Sequence, residues 1–104
     1  MGPNTQLLCA RLRDVIRLLE RVGASYWADW MQTALTRIER SDFSGVEKVC
    51  GAYGGMGSFS DLIIQLGAHQ IAASEVDAAN EELERLRGEI FELAMLIKRD
   101  VVIE

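Results

Sequence analysis

Two stretches of the chain hold residues whose types and spacing could do chemistry. The first is Gly51-Ala-Tyr-Gly-Gly-Met-Gly-Ser-Phe-Ser-Asp61, in which four glycines fall within seven positions. A glycine loop running into a helix, here through Gly55, Gly57 and Ser58, can aim backbone amides at a phosphate. The setting argues against that use. A dinucleotide fingerprint needs a preceding strand and a phosphate-cradling loop needs its Gly-Lys-Ser/Thr, whereas a helical pattern precedes this loop and no lysine lies within it. The reading favoured is a structural turn that visits positive φ more than once and packs Met56 and Phe59. The alternative is contact with a partner through Tyr53, Met56 and Phe59. The second stretch is the run of carboxylates from Glu75 to Glu89. General acid and base work needs carboxyl groups in a sheltered cleft with their pKa values pushed apart, and a helix face offers no such shelter. Asp77, Glu81 and Glu84 fall together on one side of that helix. They form either a solvated face, with Glu81 and Arg85 paired at (i, i+4), or an acidic docking strip for a basic partner.

Other chemistry finds little material. His69 is the single histidine, and Cys9 and Cys50 are the two cysteines, without a CxxC spacing. No metal site, redox pair or Ser/His/Asp arrangement follows from them. The thiols are expected to be reduced and buried. No catalytic residue, cofactor or metal is expected. Tyr26, Trp27 and Trp30 cluster within five residues, and core packing is the favoured role for the two tryptophans.

These residues have to be positioned by helices. Proline occurs once, at Pro3, and Ala, Leu, Glu and Arg dominate the remainder, as helices favour. From Thr5 to Val22, Leu8, Leu12, Val15, Ile16, Leu19 and Val22 recur at three and four. Gly23 suits the left-handed position that ends this helix, and Ser25 is placed to cap a second one carrying Trp27, Trp30, Met31, Ala34, Leu35 and Ile38. Ser44 and Glu47 match a capping box for a short third helix. Residues 62–66, Leu-Ile-Ile-Gln-Leu, read as a helix start after Ser58 and Asp61, with a short strand as the alternative. Val76, Ala79, Leu83, Leu86, Ile90, Leu93 and Ile97 then form a heptad seam on a last helix from about Glu75 to Arg99. Phe91, Met95 and Leu96 add apolar groups on other sides, so its C-terminal half is expected to be buried on several sides. The fold expected is all-α: a single compact bundle of four to five helices over residues 1–104, with a long C-terminal helix.

With 104 residues, 49% of them hydrophobic, the chain has material for one core and not for two. Its apolar runs fall well short of a membrane span, and no secretory leader pattern opens it, so a cytoplasmic protein is expected. The formal charge of −5 disfavours a non-specific grip on nucleic acid. That charge is local. Residues 1–52 carry seven basic and six acidic side chains, and residues 53–104 carry four and ten.

Tyr-Trp-Ala-Asp-Trp at 26–30 and Gly-Ala-Tyr-Gly-Gly-Met-Gly-Ser-Phe-Ser-Asp-Leu at 51–62 resemble a family of small bacterial proteins. That family combines a tryptophan-bearing helix with a Gly-Gly-Met-Gly-Ser loop and an Asp-Leu helix start. The resemblance covers about residues 7–66 and leaves the acidic last helix outside. It implies an immunity-like role, in which a cytoplasmic inhibitor neutralises a toxin delivered between cells, as in type VI secretion. The expected partner is then a cognate protein toxin with a basic active-site cleft, met by Asp77, Glu81 and Glu84, with Tyr53, Met56 and Phe59 as the second candidate surface. The alternative is a self-associating helical structural or regulatory protein, a homodimer joined through the Val76 to Ile97 seam.

Overall fold

In the computed structural model, the backbone is described for residues 1–103 and side chains for residues 1–100. Four α-helices account for most of it: α1 (Pro3–Arg21), α2 (Ser25–Glu39), α3 (Ser44–Gly51) and α4 (Val76–Ile103). Short 3-10 turns at Phe59–Asp61 and Ala73–Glu75 punctuate the segment between α3 and α4. The described residues contain no strand, only an isolated bridge between Leu66 and His69. None of the described helices is long and apolar enough to cross a membrane.

The α1–α2 turn follows from Gly23. At φ +77° it adopts the left-handed conformation, its N–H donates to Glu20 O, and the Ala24 N–H donates to Leu19 O. This pair of bonds is a Schellman motif. Ala24 is thereby committed to closing α1, and it also serves as the N-cap of α2, which has no side-chain cap bond. Ser25, expected as the cap, is the first helical residue instead. The capping box at Ser44 is replaced in a similar way. Phe43 already has helical angles, and the Asp42 carboxylate accepts the Ser44 N–H at 2.9 Å. Hydrogen bonds from the Ser44 hydroxyl and amide hold the Asp42 carboxyl below its ordinary pKa. That contribution is therefore lost as pH falls through the lowered value.

α1 packs against α2 and α4, and α3 closes the ring by packing on α2 and α4. The heptad seam on α4 faces inward: Ala79, Leu83, Leu86, Ile90 and Leu93 are buried with Leu8, Leu12, Val15 and Leu19 of α1 in one core cluster. A glycine sets the α2–α3 spacing. A Cβ on Gly45 would lie 2.6 Å from Ala34 O and 2.8 Å from Ile38 N, so the two backbones meet at a distance no side chain allows.

The C-terminal half of α4 departs from expectation. Phe91 is 38% and Met95 42% exposed: of the helices that pack on α4, α3 is only eight residues long, and Phe91 is covered on one side by the Tyr53 ring, 4.9 Å away.

Residues 62–66 form neither helix nor strand. Leu62 is extended, and the backbone of Ile64 is gripped by one side chain. The Asn80 carboxamide accepts the Ile64 N–H at 2.8 Å and donates to Ile64 O at 2.9 Å. It occupies the place a neighbouring strand would take, which satisfies the backbone without a sheet. Replacing Asn80 with alanine should strand both groups, costing about 2–3 kcal/mol. Amide exchange at Ile64 should accelerate more than in α1, and equal protection in both proteins would count against the grip.

Candidate functional site

The outer face of α4 carries the acidic residues singled out from the sequence. Asp77, Glu81 and Glu84 are all exposed. None of the three joins an ion pair among the described residues. Arg85 turns forward to Glu89 at 3.3 Å instead of back to Glu81, so the expected Glu81–Arg85 pair does not form. On α1 and α2, Asp14 pairs with Arg11 and Arg17 and Glu39 pairs with Arg13 at 3.1 Å, while Glu20 and Asp29 join no ion pair among the described residues.

The glycine loop is bound to the other flank of α4 by a clasp that sequence reasoning missed. The Arg87 guanidinium donates from Nη1 to Phe59 O and Leu62 O, each at 3.0 Å. In return the Tyr53 hydroxyl donates to Arg87 O at 2.8 Å. Burial pushes the Tyr53 phenol well above its ordinary pKa, so it remains a neutral donor. Within the loop, Gly54, Gly55 and Gly57 have φ of +90°, +79° and +77°. A Cβ on any of them would meet nothing within 4 Å. These glycines are needed for backbone conformation and not for close approach. The Gly57 N–H donates to the Asp61 carboxylate at 3.0 Å, so an internal anion already takes the amide that a phosphate would want.

The three loop residues put forward as a second contact surface separate. Phe59 is 0% exposed, with its ring 5.3 Å from Trp27 and 5.8 Å from Tyr53. It is a core residue and cannot touch a partner in the folded chain. Tyr53 is half-buried. Met56 is 100% exposed, so the turn packs Phe59 but not Met56, which three positive-φ glycines hold at the loop tip. Trp27 and Trp30 are half-buried and packed on the core. Trp30 donates from Nε1 to Lys48 O at 2.9 Å, and the Lys48 ammonium sits 3.9 Å from its ring centre.

Cys9 is buried and Cys50 half-buried. Burial raises both thiol pKa values, which keeps them protonated and poorly nucleophilic at neutral pH. The seam that would join a coiled-coil dimer is spent on the chain's own α1 and α3.

Fold and surface together define a small four-helix protein whose distinguishing external feature is one acidic helix face. The chain belongs to the family described as a domain of unknown function (DUF6966), whose model matches residues 20–72. That span holds α2, α3, the glycine loop and the Asn80-gripped segment, and leaves α4 outside. No curated protein matches the chain, and no solved structure does.

Proposed function

We propose that the chain is an immunity protein that binds and occludes a cognate antibacterial toxin, of the kind delivered by type VI secretion, by stoichiometric inhibition in the cytoplasm. The observation that carries this reading is the face of α4, where Asp77, Glu81 and Glu84 are exposed without an ion-pair partner among the described residues. Unpaired carboxylates on a rigid helix suit a cleft lined with Lys and Arg, as toxins that act on nucleotides or nucleic acid have. There they stand in for phosphate, steering encounter by charge, while apolar contacts hold the complex.

The test begins with isolation of the protein that co-elutes in a one-to-one complex from the native host. Its expression alone should arrest growth, and co-expression of this chain should restore it. A partner that is harmless when expressed alone would remove the immunity reading. With the partner in hand, Glu81→Lys combined with Glu84→Lys should slow association about 10-fold or more at low salt and flatten its salt dependence. Unchanged rates would move the interface to the glycine loop, where Tyr53 and Met56 remain available.

A further inference from the structure

Resting on the reading that this chain acts by binding a protein, we infer that Asp77, Glu81, Glu84, Gly88, Phe91 and Met95 form one continuous docking stripe for a partner's amphipathic helix. That helix carries bulky apolar side chains toward its N-terminal end and Lys or Arg toward its C-terminal end.

The six residues are spaced four, three, four, three and four apart, so at about 100° per residue they stay within one narrow band of the helix surface. The band lies opposite the buried seam. Its first half is acidic. Its second half holds Phe91 and Met95, 38% and 42% exposed, with the Tyr53 ring 4.9 Å from that of Phe91 on one flank.

Gly88 joins the halves, and nothing in the fold accounts for it. It is exposed in the middle of a 28-residue helix, where glycine is among the least favourable residues. A Cβ there would meet nothing within 4 Å, in contrast to Gly45. A notch on an exposed helix face, beside two apolar side chains, is the shape that receives a large apolar side chain from an approaching helix.

Charge selects the occupant. The stripe's carboxylates ask for cations at one end only, and an antiparallel helix with those cations near its C-terminus also satisfies its own dipole. A second copy of this chain fits poorly. In parallel, the carboxylates of the two copies face each other. Antiparallel about Gly88, Asp77 meets the other copy's Arg99, but Glu81 and Glu84 lie over its Met95 and Phe91 and lose hydration without a cation in exchange.

The probe is a stapled helical peptide of about 20 residues with Leu on one face of its N-terminal half and Lys on the same face of its C-terminal half. Its control exchanges the two halves. Titrated into the full chain, the first should bind one-to-one and about 10-fold more tightly than the control. Gly88→Leu should lose about 10-fold in affinity for the first peptide while raising the melting temperature by roughly 4–8 °C, since a good helix former replaces glycine in open space. Equal affinity for both peptides, undiminished binding by Gly88→Leu, or a lowered melting temperature in that variant would each overturn the stripe. So would a dimer in sedimentation that Gly88→Leu disperses, which would make the occupant a second copy. These outcomes are independent of toxicity. A stripe that binds while the co-eluting partner proves harmless would leave this inference standing and remove the immunity reading, and the converse result would do the opposite.

Discussion

Phe59→Ala should cost about 3–5 kcal/mol of folding stability, the range for deleting a fully buried aromatic ring. Against a total of about 5–15 kcal/mol for a domain, that is a large share. At roughly 4–8 °C per kcal/mol, the melting temperature followed by circular dichroism should fall by about 12–40 °C. The reason lies in what meets at this residue. Its ring packs between Trp27 and Tyr53, its N–H donates to Ala52 O at 2.8 Å, and its carbonyl accepts from Arg87. Removing the ring opens a cavity where α2, the glycine loop and α4 come together. Phe59→Leu keeps most of the volume and should lose much less. Partner binding by the leucine variant should therefore be near normal, whereas a surface contact would be damaged by both changes. A melting temperature unmoved by the alanine change would put the ring outside the core.

Gly45→Ala should be destabilising by about 3 kcal/mol, at the upper end of what overpacking costs. The usual effect of this substitution within a helix has the opposite sign. Two of the three atoms that the new Cβ would strike are backbone, Ala34 O at 2.6 Å and Ile38 N at 2.8 Å. Neither can rotate away, so α3 would have to lift off α2. Because α3 also supports α4 and leads directly into the glycine loop, the change should loosen Tyr53 and Phe59 as well. Amide exchange should show protection lost in α3 and the loop before α1. A stability equal to or above that of the parent protein would show that the helices can separate at little cost.

The all-α fold, the inward seam and the exposed carboxylates were legible in the sequence, because helical periodicity is a local signal that survives without tertiary information. The positive-φ glycines of the loop were legible for the same reason. Residues 62–66 were not. Their apolar run is compatible with helix or strand, and the decision came from Asn80 and Arg87, which bond to the backbone of Phe59, Leu62 and Ile64 from another element. An asparagine inside an otherwise strong helical pattern was the available clue, since Asn is a poor helix former that tends to be retained for a hydrogen bond. Phe59 and Met56 show the same limit. Two apolar residues three apart in one loop go to opposite sides of the surface, because the chain reverses between them.

The glycines give the sharpest division between the two levels. Composition and spacing place Gly45 and Gly88 alike inside helical patterns, each looking like a small penalty. Only the packing separates them: Gly45 lies where two backbones touch, and Gly88 faces open space on the acidic helix. Alanine should therefore destabilise at the first position and stabilise at the second. Periodicity along one chain can say which face of a helix is buried. What stands across from each face is set by contacts between residues distant in sequence.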